Sequence, residues 1–426
     1  MMVAILFLSF IALIFLGVPI AFSLGISSLI YLALNDISLT ILAQKMYMGI
    51  NSFTLLSIPG FVLAGNLMNS GGITKRIIEF CDAIVGFIRG GLALANVVAS
   101  MIFAGISGTA LADTASIGPI LIPAMVEQGY DPDFSAAVTA ASSTIGPIIP
   151  PSTPMIVAAT LVGLSVTKMF IAGIIPGILM GIGMMILSYY ISVKRGYPKG
   201  EFKSLKYIWE SFKGAFWAIL MTVIILVGIL GGIFTPTEAS IVAVVYGALV
   251  GMFIYKELKL KDLPKVMIDS LRTTASIMVL VGFANTFAWI LASEQIPQMI
   301  AKAILSISSN PIIVILLINA LLLFVGTFME TVAALIILFP VLLPVGTAIG
   351  MDPIQFGVMV VLNLMIGLTT PPVGVCLFVA GSIAKISLAR LTKAILPFIV
   401  VNLIVLLLVS FVPSITLFLP RLLVGK

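Results

Sequence analysis

Apolar residues fall in long runs along this chain, at 3–34, 52–68, 91–126, 132–163, 169–193, 215–255, 274–292, 311–349, 353–384 and 394–419. A helix crossing a bilayer needs about 20 apolar residues, so the runs predict spanning helices and no strands. The runs at 3–34 and 215–255 divide into pairs of spans (3–17 and 19–34; 215–233 and 237–255). Mixed, partly amphipathic segments separate the runs at 36–51, 71–90, 256–273 and 293–310. The long runs at 91–126 and 311–349 hold small residues at their centres, and each is either two spans or one re-entrant hairpin.

The same order of elements occurs twice. Residues 118–151 (GPILIPAMVEQGYDPDFSAAVTAASSTIGPIIPP) align without a gap on 339–372 (FPVLLPVGTAIGMDPIQFGVMVVLNLMIGLTTPP), 221 positions on. The coincidences are residues that apolar composition does not supply by chance: Pro119/Pro340, Pro123/Pro344, Gly129/Gly350, Asp131/Asp352, Pro132/Pro353, Gly146/Gly367 and Pro150/Pro371. Gly105/Gly326 and Pro176/Pro397 extend the match on either side.

Composition excludes a soluble globule. Of 426 residues, 61% are hydrophobic and 9% charged, with a mean hydropathy of +1.27, which leaves too little polar surface to face water. Membrane lipid is therefore the expected surroundings. The first run lacks a basic leader region and continues into a second span, so no cleavable signal is expected. There is no histidine, and Cys81 and Cys376 are the only cysteines, so neither a disulfide framework nor an ordinary metal cluster is expected. No GxxxxGK[ST] motif and no nucleophile–base pair are present, so the chain is expected to be neither an ATPase nor another enzyme.

The net charge of +6 reports topology and not a nucleic-acid partner. Seventeen of 22 Lys and Arg lie in four segments, at 75–89, 194–213, 256–272 and 385–393. Cytoplasmic loops collect such residues. If 91–126 and 311–349 are re-entrant, each half makes five crossings. All four basic segments then share the cytoplasmic side, both termini lie opposite, and the second half is inverted relative to the first.

Inverted repeats with interrupted helices place transport sites at mid-membrane. Here the interruptions are IGPIIPPSTP (145–154) and IGLTTPPVG (366–374), where paired prolines end a helix. The hairpin tips are the second candidate: Gly105, Ser107, Gly108 and Thr109, and Gly326, Thr327, Met329, Glu330 and Thr331. Glycine lets carbonyls turn towards a cation, and hydroxyls add further oxygen ligands. Three acids interrupt apolar runs. Glu238 reads as the end of a Thr235-Pro236-Thr237-Glu238 capping box. Asp113 either caps a tip helix or faces the site. Glu330 reads as functional, since buried ionisable groups in membranes are costly. Asp131-Pro132 and Asp352-Pro353 read as helix N-caps followed by proline.

GISGTALADTASIG, TIGPIIPPS, GIFTPTEAS, GTFMET and GLTTPPVG together resemble the large membrane subunit of tripartite ATP-independent periplasmic (TRAP) transporters, over nearly the whole chain. The resemblance implies sodium-coupled import of an organic acid, of the C4-dicarboxylate or sialic acid class, across the bacterial inner membrane. It implies two partners: a periplasmic substrate-binding protein and a small four-helix membrane subunit, expected as a separate chain. It implies an elevator-like fold. By position, one sodium site would use Ser107, Gly108 and Thr109 with Thr144, Gly146 and Pro150. The other would use Gly326, Thr327, Met329 and Thr331 with Gly367, Thr369 and Thr370 (the break running on to Pro372). Substrate would meet Ser107, Ser152 and Glu330. Family members often carry Asp at the second tip; Glu330 adds a methylene and changes pocket size.

The expected fold is thus an all-α polytopic membrane protein, an inverted repeat with two re-entrant hairpins and two broken helices. The first repeat, 1–213, comprises scaffold spans 1–70, hairpin 91–126, broken helix 132–163, closing span 169–193 and a cytoplasmic interfacial helix 200–213. The second, 214–426, comprises scaffold spans 215–292, hairpin 311–349, broken helix 353–384 and closing span 394–419. A stand-alone sodium/anion symporter of the same architecture is the alternative; an ion channel fits paired breaks in one chain less well.

Overall fold

The computed structural model describes residues 2–296, 299–300, 302, 306, 310–371 and 374–425, without the side chains of 2–4 and 105–107. Half of the expected mixed segment at 293–310 therefore lies outside the described residues, as does Pro372. The described residues form helices with no strand, only an isolated bridge between Arg89 and Lys199.

The helices group into two bodies, joined where the helices at 57–70 and 73–85 pack on the helix at 91–107. The first contains α1 (Met2–Phe15), α2 (Ile20–Leu34), α3 (Thr40–Ile50), α4 (Ser57–Ser70), α5 (Ile73–Val85), and, from the second half, α11 (Leu205–Leu230), α12 (Pro236–Leu249) and α13 (Leu263–Ser293). Helix α4 packs on α12, and α13 crosses α2, α3 and α4. Polar bonds stitch the halves: Asn66 Nδ2 donates to Ser270 Oγ (2.8 Å), Asn285 Nδ2 to the Lys45 carbonyl (2.7 Å) and Thr237 Oγ1 to the Phe53 carbonyl (2.7 Å). Between helices in lipid such bonds contribute about 1 kcal/mol each. The Thr235–Glu238 capping box is formed, with Pro236 in the first turn of α12.

The second body holds the hairpins and broken helices. Its first-half members are α6 (Gly91–Ser107), α7 (Ala110–Glu127), α8 (Pro132–Ser143), α9 (Thr153–Val162) and α10 (Val166–Lys194). Its second-half members are α14 (Pro311–Gly326), α15 (Thr331–Ala348), α16 (Pro353–Gly367), α17 (Val375–Ala384), α18 (Leu388–Phe411) and α19 (Pro413–Leu423). The halves interlock symmetrically: α7 packs on α17, and α9 on its counterpart α15. Buried amides lock each hairpin to its broken helix. Asn96 Nδ2 donates to Thr139 Oγ1 (2.7 Å) in one repeat, and Asn363 Nδ2 to Asn319 Oδ1 (2.8 Å) in the other. The molecule is an inverted repeat of two re-entrant hairpins and two broken helices, the architecture of an elevator-type transporter.

All four basic segments meet at one end. Arg76 pairs with Glu257 (2.7 Å), Lys203 with Asp82 (2.5 Å), and Arg195 with Asp131 (2.9 Å) and Asp133 (3.4 Å); Arg390 reaches Asp133 (3.7 Å). Together with the Arg89–Lys199 bridge, these contacts join 75–89, 194–213, 256–272 and 385–393.

Three details depart from the sequence reading. Residues 205–213 are not a separate interfacial helix: α11 runs unbroken through Gly214, because a single glycine weakens a helix without ending it. The closing helix ends at Phe411, since Pro413 forces Val412 out of the helical region (φ −117°, ψ 89°) and starts α19. Asp352 caps α16, accepting from Ile354 N (2.8 Å) and Gln355 N (3.4 Å), but Asp131 makes no side-chain cap. Its carboxylate instead accepts from Tyr197 OH (2.7 Å) and Arg195 Nη1 (2.9 Å), and a charge-assisted bond is the stronger choice.

The Tyr197 hydroxyl, with Arg195 beside it, holds the Asp131 carboxyl below its ordinary range against partial desolvation. A depressed carboxyl stabilises the fold above its unfolded value, about 3.9, and that contribution disappears as pH falls through the lower folded value. The groups are partly exposed, so the effect is small. Arg195→Ala should lower stability at pH 7 by up to about 1 kcal/mol, read from thermal unfolding in detergent; the gap to wild type should persist to pH 5 and close below about pH 4.

Candidate functional site

Each interruption leaves two helix ends inside the second body. Helices end at Ser107, Ser143, Gly326 and Gly367, and new ones begin at Ala110, Thr153, Thr331 and Val375. The second set converges. A cavity of about 400 Å³ is lined by Thr109, Ala110 and Leu111 at the start of α7, Thr153 and Pro154 at the start of α9, Glu330, Thr331 and Val332 at the start of α15, and Val375 and Cys376 at the start of α17. Four helix N-termini thus face one space. Each carries unpaired N–H groups and about half a positive charge, favourable to an anion. Helix α13 of the first body closes the cavity with Thr273, Ser276, Ile277 and Leu280.

The caps are in place. Thr109 Oγ1 accepts from Ala112 N (3.4 Å), and Ser152 Oγ from Met155 N (3.2 Å). Glu330, at the repeat position equivalent to Thr109, accepts from Val332 N (2.9 Å) and Ala333 N (3.2 Å) through one oxygen, Oε2. Glu330 is exposed towards the cavity that it lines. The Thr331 hydroxyl is buried and lacks a hydrogen-bond partner among the described residues. No lysine or arginine is among the lining residues.

Of the residues expected at the site, Thr109, Glu330 and Thr331 line the cavity. Ser152 does not: it is buried, and its hydroxyl also donates to the Pro147 carbonyl (2.5 Å), so Thr153 takes its place in the wall. The Ser107 side chain lies outside the described residues. Gly108 turns the first tip (φ 64°), packed closely on the Pro151 carbonyl, which a Cβ there would approach to 3.1 Å. The tip therefore rests on the first break, whose Pro150–Pro151 peptide is cis. Thr144 Oγ1 donates back to the Ala141 carbonyl (2.7 Å). The carboxylate of buried Asp113 covers Gly146, where a Cβ would lie 3.1 Å from its Cγ.

At the second tip the backbones touch. A Cβ on Gly367 would lie 2.5 Å from the Gly326 carbonyl carbon, so the ends of α14 and α16 meet without side chains between them. Thr327 lies beside them, its carbonyl accepting from Gly374 N (3.4 Å). Thr369 and Thr370 hydroxyls donate to the Ile366 carbonyl (3.0 and 2.8 Å), leaving lone pairs for a cation, and half-buried Met329 continues the turn. Among the described residues no cluster of three His, Cys, Asp or Glu side chains exists; the oxygens gathered at this tip are backbone carbonyls, the Thr hydroxyls and the Glu330 carboxylate.

Sequence reasoning missed the contributions of α13 and of Thr153 and Cys376. Helix α13 has no interruption to draw the eye. The hydroxyl run Thr273-Thr274-Ala275-Ser276 within an apolar helix was the available signal.

Residues 7–415 match the family described as "Tripartite ATP-independent periplasmic transporter, DctM component". The chain is 45% identical to the sialic acid TRAP transporter large permease protein SiaM of Vibrio cholerae, covering 97% of each. It is 41% identical to the C4-dicarboxylate TRAP transporter large permease protein DctM of the same organism, covering 100% of this chain and 99% of the relative. In structure it is similar to the YdaH transporter of Alcanivorax borkumensis (TM-score 0.63, 16% identity, 87% of each chain), a likeness of fold. Matched along almost its entire length, the chain belongs to the DctM-component family of large permeases of TRAP transporters.

Proposed function

We propose that this permease imports an organic acid of the sialic acid or C4-dicarboxylate class into the bacterial cytoplasm, driven by sodium. A periplasmic binding protein delivers the acid, and a small four-helix membrane subunit completes the complex. Both termini are periplasmic, as the gathering of the basic segments at one end supports.

The observation that carries the reading is the cavity itself. Four helix N-termini attract a carboxylate, yet among the described residues no basic side chain lines the wall and Glu330 opposes an anion. An acid therefore binds well only with a cation nearby to offset Glu330. The ends of α6, α8, α14 and α16 provide cation positions around that cavity, with Asp113 beside Gly146 in one repeat and the Thr331 hydroxyl near the other. Two sites follow: Ser107–Thr109 with Thr144–Pro150, and Gly326–Thr331 with Gly367–Thr370. Substrate contacts Glu330 and Ser107, with the Ser152–Thr153 turn supplying the α9 N-terminus.

Proteoliposomes holding the complete complex and a binding protein test the reading. Uptake of radiolabelled sialic acid or succinate should require both an inward sodium gradient and the binding protein. Uptake indifferent to sodium would remove both cation sites; uptake without the binding protein would identify a stand-alone symporter.

Glu330→Gln keeps an oxygen for the cap but loses the charge. Uptake should fall about tenfold or more, on the scale of one charged hydrogen bond, with unchanged melting and partner assembly. Normal transport would remove Glu330 from the site. Thr331→Val is isosteric and relieves an unpaired hydroxyl. It should leave stability equal or improved while raising the half-saturating sodium or substrate concentration several-fold, about the effect of one neutral bond.

A further inference from the structure

The cavity has walls of two origins. Its N-termini belong to the body of hairpins and broken helices, whereas Thr273, Ser276, Ile277 and Leu280 belong to α13, which packs against α2, α3 and α4 in the other body. Spacings of three, four and seven place these four residues on one helix face. The face is graded: Leu280 is buried, while Thr273 and Ser276 are exposed. The two hydroxyls follow Arg272, on the half of α13 nearer the end of the molecule where the basic segments meet. They donate to carbonyls of their own helix, Thr273 to Asp269 (3.1 Å) and Ser276 to Arg272 (3.0 Å). That bond leaves lone pairs to accept from a ligand, and each hydroxyl can rotate to donate instead.

We propose that Thr273 and Ser276 are substrate-positioning residues that act only while the cavity stands at the Lys/Arg-rich end. This rests on the transport reading above. When the body carrying the N-termini moves along α13, Glu330 and the other tip residues travel with the substrate and Thr273 and Ser276 stay behind. Their hydrogen bonds to the hydroxyls or carboxylate of the acid therefore belong to one state. A contact made in one state shifts affinity in that state alone. The pair sets how tightly the acid is held on the cytoplasmic side before release, and selects acids that reach across the cavity from the tips to α13.

The complete complex with Thr273→Val and Ser276→Ala tests this in oriented proteoliposomes, using sialic acid and succinate as probes. The half-saturating internal concentration for exchange should rise about 3- to 30-fold, the loss of one or two neutral hydrogen bonds. The half-saturating external concentration should stay within about twofold of wild type, a shift below one such bond. The hydroxyl-retaining pair Thr273→Ser and Ser276→Thr should restore internal affinity, and Thr274→Val, on another face, should have no effect. Unchanged internal affinity in the double variant, or equal weakening on both sides, overturns the inference. Wild-type vesicles inert to both acids overturn the transport reading itself, and the inference with it.

Discussion

Backbone polar groups in a bilayer must be satisfied by protein, because lipid offers no hydrogen bonds. Every unusual feature of this fold follows from four places where a helix stops at membrane depth. The stops survive because they are buried against each other: Gly108 rests on the first break, and Gly326 touches Gly367. Side chains then cap three of the four new N-termini, Thr109 on α7, Ser152 on α9 and Glu330 on α15, while Gly374 offers α17 none. The first residues of all four helices line the cavity. The constraint that makes broken helices expensive in lipid is the same one that directs their ends at a ligand.

Duplication supplied two copies of each device, and divergence has separated their charges. Thr109 and Glu330 occupy the same cap, one neutral and one acidic. Asp113 lies over Gly146 in the first repeat, where the second repeat has Ala334. Each half thus contributes one carboxylate, but at different distances from the cavity. Outside the core the same divergence recurs. Asp352 caps its helix, whereas Asp131 joins the basic end through Tyr197 and Arg195.

The hairpins, the breaks and the repeat were legible because they depend on glycine and proline, whose backbone consequences are local. The Thr235–Glu238 cap was legible for the same reason, being a contact three residues long. What stayed hidden depended on partners distant in sequence. Ser152 looked available for substrate, but the Pro147 carbonyl and Met155 N consume its hydroxyl. Asp131 looked like a cap until Tyr197 and Arg195 came within reach. Helix α13 looked like plain scaffold, since its role depends on which helix ends the fold brings opposite it.

On the proposed transport reading, the electrostatics of the cavity would make coupling a consequence of construction. A lysine or arginine in the wall would bind an acid with or without a cation. Helix termini supply a weaker, fixed attraction, and Glu330 subtracts from it. A cation lodged at the helix C-termini would restore the balance, and by reciprocity the acid would strengthen cation binding by the same factor. In the low dielectric between the two bodies, each ligand would then be poorly held without the other. A site of this kind resists carrying either species alone, which is the property a gradient-driven importer requires.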